Sequence, residues 1–230
     1  MTKETTPLLE AKNIYKTYGK GKPVLAGINL TVTKGEIISI VGASGAGKST
    51  LLQILGTLDT PDQGDVLLEG DIINQMEGKA LTHLRNQRIG FVFQFHNLLP
   101  EFTALENICI PAMIAGQSLE KAREIALPLM EKLNIAHRQD HKPAQMSGGE
   151  QQRAAVARAL INQPALVFAD EPSGNLDSAN AEELHNLFFD LRNELNQTFV
   201  IVTHNEHFAN LADRKLEIVD GQIVHQAKLG

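Results

Sequence analysis

At 230 residues the chain has the size of one large α/β domain. Hydrophobic residues make up 43% and charged residues 21%, ordinary globular usage that fills a core and excludes wholesale disorder. The net charge of −6 argues against nucleic acid as a partner, because a basic face is the usual footprint of that function. The single cysteine, Cys109, excludes an intrachain disulfide and reads, between Ile108 and Ile110, as a small buried hydrophobe. No apolar run approaches the roughly 18 residues needed to cross a bilayer, and the opening MTKETTP lacks the apolar stretch of a signal peptide. The expectation is a cytosolic chain, held at a membrane only by another protein, with residues 1–7 as a flexible N-terminus.

From Leu8 to about Ile40 the sequence reads as β-structure: LLEAKNIYKTY and INLTVT alternate apolar and polar residues, with turns at GKGKP and KGE. IISIVG, Ile37 to Gly42, is a continuous apolar run, as for a strand buried on both faces. A Gly-rich loop and a helix from about Lys48 to Leu58 follow, then a hairpin at TPDQGDVLLEGD, a polar helix near Gly78–Arg88 and the strand IGFVFQ. The stretch from Ala104 to Leu133 reads as helical. In its second half Leu119, Ala122, Ile125, Ala126, Leu129, Met130 and Leu133 recur at three- and four-residue spacing, a core-facing stripe in which Pro128 predicts a kink or break. An Ala-rich helix after Ser147, the strand ALVFAD, a helix from about Ser178 to Leu195, the strand TFVIVTH and a strand pair around KLEIVDGQIV complete the chain. Strands alternating with helices predict an α/β fold with a mostly parallel sheet covered on both faces; the β-rich start and the helical middle are additions to it.

The strongest chemical signal is Gly42-Ala43-Ser44-Gly45-Ala46-Gly47-Lys48-Ser49, followed by Thr50. It is a full GxxxxGK[ST] phosphate loop set between an apolar strand and the helix-forming LLQIL. Its glycines let backbone N–H groups turn in on phosphates at a helix N-terminus, Lys48 reaches the β- and γ-phosphates, and the Ser49 hydroxyl binds Mg²⁺. ATP and Mg²⁺ are the implied ligands. The strand ending in Asp170-Glu171 places Asp170 to assist Mg²⁺ through water and Glu171 to orient and deprotonate the attacking water. Met146-Ser147-Gly148-Gly149-Glu150-Gln151-Gln152 heads a second helix with an N-cap serine and exposed backbone N–H groups. A second anion site in a chain that already has a phosphate loop makes sense if another copy uses it across an interface. The remaining histidines (His83, His96, His137, His141, His185, His207 and His225) share no metal-ligand spacing and read as surface or satisfied polar groups.

The ordered set of phosphate loop, Gln94 after a strand, SGG signature, Asp-Glu strand end, Ser173-Gly174-Asn175-Leu176-Asp177 and strand-end His204 resembles the nucleotide-binding domain of ABC transporters over essentially the whole chain. The resemblance implies a P-loop NTPase (RecA-like) core, an N-terminal antiparallel β subdomain and a helical subdomain at about 95–160, all within one ATPase domain over 8–228. It assigns adenine stacking to Tyr18, with Tyr15 as the other candidate, and contact with Mg²⁺ and water to Gln94. It assigns the γ-phosphate of the opposite subunit's ATP to Ser147–Gln151, an interface-crossing loop to Asp177, and the γ-phosphate to His204. Met146 stands where leucine is common, and Glu150 where glutamine is usual. The segment Phe95 to Asn107, with GTLDTPDQGDV, LRNQRIGFVFQ and ADEPSGNLD, resembles the ATPase subunits of lipoprotein-releasing systems, within a wider group that includes MacB-type domains. That likeness implies a homodimer bound to LolC/LolE-like integral membrane subunits on the cytoplasmic side of the inner membrane. Phe95, Leu98, Leu99 and Phe102 are candidates to grip those subunits. It leaves open an efflux ATPase, or a regulatory or scaffolding ABC protein of the cell envelope.

Overall fold

The computed structural model describes residues 7–228; the expectation of a flexible segment at 1–7 falls, but for Pro7, outside them. Two sheets form the frame. One is antiparallel, with β1 (Leu9–Lys16), β2 (Leu25–Val32), β4 (Gln63–Leu68) and β5 (Asp71–Ile72) in the order β2-β1-β4-β5. The other has the order β10-β9-β3-β8-β7-β6, from β3 (Ile37–Val41), β6 (Ile89–Phe93), β7 (Leu166–Asp170), β8 (Thr198–Val202), β9 (Arg214–Val219) and β10 (Gln222–Lys228). Its members run parallel apart from β10, which pairs antiparallel with β9.

The central strands are mostly apolar, with Ser39 and Thr198 as buried polar exceptions, because both of their faces are covered. Ile38 and Ile40 of β3, Phe168 of β7 and Val200 and Val202 of β8 point into one core, shared with helix α1 (Lys48–Leu55) and the antiparallel sheet. Their alternating neighbours Ile37, Val167, Ala169, Phe199 and Ile201 enter a second core, built with the helices α3 (Ala104–Ile114), α4 (Leu119–Lys132), α5 (Gly148–Leu160), α6 (Ser178–Leu195) and α7 (Glu206–Leu211). Helix α2 (Gly78–Arg88) has no fully buried residue, as its polar composition predicts.

The helical middle corrects one expectation. Helix α4 runs unbroken through Pro128, and the interruption falls earlier, at 115–118, where Gly116 adopts φ 94° and Ser118 caps the new helix. Pro128 lies on the solvent face, so the carbonyl its missing N–H leaves free meets water, while Ala122, Ala126 and Met130 anchor the other face in the core. Leu119, expected in the stripe, is exposed. Helix α1 also stops three residues short of Leu58, capped by Gly56.

Candidate functional site

The parallel strands deliver their carboxyl ends to one edge, where open α/β sheets bind ligands. β3 runs into the phosphate loop, β6 into Gln94, β7 into Asp170-Glu171 and β8 into Thr203-His204. These positions come together because Phe93 pairs with Asp170 and Asp170 with Val202 in register. The ends open on a cavity of about 680 Å³ lined by Tyr18, Val24, Gly42, Ser44, Gly45, Gly47, Lys48, Ser49, Thr50, Gln94, Glu171 and His204.

The loop glycines are dictated by crowding as well as conformation. At Gly42, with φ 149°, a Cβ would sit 2.3 Å from the Ile218 carbonyl oxygen; at Gly47, with φ 105°, it would sit 2.6 Å from that of Val24. Gly47 caps α1 with no side-chain bond, so the helix presents uncapped N–H groups to the cavity. Lys48 Nζ donates to the Gly42 and Ala43 carbonyls at 2.8 and 3.0 Å, which curls the loop around its own lysine. Ser49 Oγ donates to Asp170 Oδ1 at 3.1 Å across 121 positions of sequence. Burial pushes the Asp170 carboxyl above its usual range, against the opposing pull of Ser49 and Lys48.

Glu171 takes a left-handed backbone, φ 47°, rare for a residue with a side chain. Its Oε2 lies 2.7 Å from His204 Nδ1 and accepts from the His204 backbone N–H at 3.2 Å. Gln94 and Asn175 bond reciprocally: Gln94 Nε2 donates to Asn175 Oδ1 and Asn175 Nδ2 to the Gln94 carbonyl, both at 3.1 Å. The pairing of Asn175 with Gln94 joins residues 81 positions apart, a distance at which no local pattern in the sequence speaks.

The two tyrosines separate cleanly. Tyr15 lies in β1 with its ring over Gly27, outside the cavity. Tyr18 lines the cavity, 52% exposed, its hydroxyl donating to Asp59 Oδ2 at 2.5 Å. Asp59 also pairs with Lys16 at 2.8 Å and raises the Tyr18 phenol above its usual pKa through that hydrogen bond.

None of residues 147–151 lines the cavity. Ser147 and Glu150 form a reciprocal capping box at the head of α5. Glu150 further accepts from Arg138 Nε at 2.7 Å, and these bonds hold its carboxyl down to about 2 in spite of partial burial. Gln151 Nε2 donates to the Pro143 and Met146 carbonyls. The side chains of Glu150 and Gln151 thus serve their own loop, and what faces outward is the exposed pair Ser147 and Gly148. Asp177 is exposed and caps α6, accepting from Asn180 N at 2.9 Å and Asn180 Nδ2 at 2.7 Å. Asn180 in turn closes on Gly149, where a Cβ would come within 2.6 Å of its Oδ1. The signature end and the Asp177 loop therefore form one continuous surface.

A phosphate loop, an acid pair at the neighbouring strand end and a parallel sheet behind them define a P-loop nucleotide-binding ATPase. The family model for ABC transporters matches residues 25–174. A lipoprotein-releasing system ATP-binding protein LolD from Cytophaga hutchinsonii is 61% identical over 217 residues, spanning 94% of this chain and 99% of the relative. Its counterpart from Bacteroides thetaiotaomicron is 57% identical over 216 residues, with 94% and 99% covered. Among solved structures, the ATP-binding cassette MJ0796, in a dimeric post-hydrolysis state bound to ADP and Pi, superposes with a TM-score of 0.88 at 39% identity over 96% of this chain and 99% of that one. The chain belongs to the ABC transporter family, as an ATP-hydrolysing subunit with a P-loop NTPase fold.

Proposed function

We propose that two copies of this chain sandwich two ATP molecules, and that closing and reopening of this dimer powers release of lipoproteins from the cytoplasmic membrane. The observation that carries the dimer is the separation of parts within one chain. The cavity holds the phosphate loop, Gln94, Glu171 and His204, while the Ser147 end lies outside it and faces solvent. A site made of both parts needs a twin to supply the second. The MJ0796 cassette, 39% identical, is described as dimeric with ADP and Pi, and relatives at 61% and 57% identity are named for lipoprotein release.

In this reading one domain over 8–228 carries both half-sites, the helical part at about 95–160 presenting the signature. Arriving phosphates exchange with the Gly42 and Ala43 carbonyls for Lys48, and the free N–H groups of α1 take the remaining oxygens. Tyr18, fixed by Asp59, presents a ring face to adenine. Ser49, Asp170 and Gln94 supply hard oxygen donors that fit Mg²⁺, which uses few protein ligands beside water and phosphate. That ion would neutralise charge developing on the phosphates. Glu171 accepts the proton of the attacking water, and His204 orients Glu171 and reaches the γ-phosphate. Ser147, Gly148, Gly149 and Asp177 meet the opposite subunit's ATP; the main chain, not the side chains of Glu150 and Gln151, makes that contact. Because the closed dimer binds ATP and the open one does not hold it as tightly, turnover drives a two-state cycle.

The membrane subunits, LolC/LolE-like, are assigned to the face around Phe95. Arg158 of α5 donates to the His96 and Asn97 carbonyls, and the buried Asn107 ties down Leu99, Phe102 and Thr103. This scaffold holds Phe95 (69% exposed), Leu99 and Phe102 outward. Leu98, grouped with them in the sequence, instead packs against the core, because the loop turns it inward. Such a grip would keep the chain peripheral on the cytoplasmic side of the inner membrane.

Glu171→Gln tests the central claim: with saturating MgATP it should accumulate as a dimer on size exclusion and lose turnover by on the order of a hundredfold or more. A mutant that stays monomeric would refute composite sites. Lipoprotein release from inner-membrane vesicles, with and without the chain, tests the cargo. Release that is indifferent to the chain favours a scaffolding role instead.

A further inference from the structure

The turn from Glu171 to Asn175 is held on three sides. On the first, Glu171 pairs with His204. On the second, Asn175 bonds Gln94, and Gly174 packs so closely on Gln94 that a Cβ there would fall 2.9 Å from its Nε2. The third is unrelated to either motif: His185, in the middle of α6, places its Nε2 3.0 Å from Ser173 Oγ.

His185 is an expensive residue to keep where it is. It is 6% exposed, and its ring stacks on Phe208 with centroids 4.3 Å apart, in the same core as Phe188 and Phe199. Packing alone would be served as well by a phenyl ring, without the cost of burying a polar group. What the imidazole adds in hydrogen bonding over a phenyl ring is its bond to Ser173. Phe208 belongs to α7, which begins just after His204 and is capped by Asn205. The contacts close a ring: Glu171 to His204, along the chain to Phe208, by stacking to His185, by hydrogen bond to Ser173, and back two residues to Glu171. Glu171 sits in this ring with a backbone conformation that costs energy and persists only where its surroundings impose it.

We infer that His185 is a positioning residue for hydrolysis, acting through Ser173 to fix the turn that carries Glu171 and leads into Asp177. The inference rests on Glu171 as the base. His185 touches neither the phosphate loop nor Tyr18, so it acts on the chemical step and leaves nucleotide binding alone.

The test is steady-state ATP turnover of the full chain in its native membrane complex, reading kcat and KM separately. His185→Phe, which keeps the stacking ring, and Ser173→Ala should each lower kcat by about tenfold with KM for ATP within about twofold. The double variant should fall no further than either single one, because both remove the same bond. Ser173→Thr, which restores the hydroxyl, should stay within about twofold of the unmodified chain. Unchanged kcat in both single variants, losses that multiply in the double, or a threonine variant as slow as the alanine one would each overturn the proposal. Should His185→Phe fail to fold, the Ser173 alanine and threonine pair decides it. Full turnover in Glu171→Gln would remove the base and not this coupling, which the double variant measures on its own.

Discussion

Two helices of this molecule begin with glycine-rich signals, and they are finished in opposite ways. Helix α1 starts at Gly47 with no side-chain cap, its N–H groups left for a ligand and its lysine folded back on loop carbonyls. Helix α5 starts at Ser147 with a complete capping box, and Glu150 is braced again by Arg138. In the proposed function the first end exchanges bonds when phosphate enters. The second is rigid before anything binds and offers main-chain groups from a fixed frame. A composite site benefits from this division: one half adapts to the nucleotide, while the other half meets it without first reorganising.

The comparison breaks most severely at Lys48. Lys48→Ala removes the charge that reaches the phosphates and should weaken nucleotide binding by on the order of a hundredfold, seen by titration with a fluorescent ATP analogue. Binding that survives would mean the backbone cradle suffices. At the other end, Ser147→Ala deletes the cap and should cost about 1 kcal/mol of stability in urea unfolding. In a Glu171→Gln background it should also loosen the ATP-dependent dimer by about tenfold while the monomer still binds ATP. An equal loss of monomer binding would erase the distinction between the two ends.

A third test is a pH dependence. The Glu150 carboxyl, ordinarily near 4.5, is held at about 2 in the fold, so the unfolded chain takes up its proton first as pH falls. Its contribution is complete above about pH 4.5 and is lost between there and about 2. Glu150→Gln should therefore be less stable than the parent at pH 7, with the gap in unfolding midpoint closing towards pH 2. His185, pushed down to about 4 by burial, acts at higher pH. It stays neutral in the fold while the unfolded chain protonates near 6.5, so its share of stability falls as pH drops from 6.5 to about 4. His185→Phe should lose less stability than the parent across that window.

Much of the candidate site was legible because its parts are local. The phosphate loop needs only eight consecutive residues to turn its N–H groups inward. The Ser147 cap acts within one helical turn, and the acid pair closes an apolar strand that announces itself. Helix α6 was readable to its ends as a long run without glycine or proline, and the structure adds Asp177 as its cap. Pro128 misled because a local rule was overruled by packing, with three residues of α4 anchored in the core and the proline ring in water. The break at Gly116 carried a signal, a glycine able to take positive φ, that the helical periodicity on either side obscured.

By itself the sequence determined the local motifs: the phosphate loop, the carboxylates that close an apolar strand, and two glycine-bearing helix starts. Tertiary structure decided which of these atoms meet. Ser49 with Asp170 and Gln94 with Asn175 are joined because parallel strands bring distant strand ends to one edge, and Ser173 with His185 because α6 packs that ring against Phe208. Backbone conformation within a few residues is set by those residues' own sterics and hydrogen bonds. Partners far apart in sequence are set by which apolar faces bury one another, and that is a property of the whole chain.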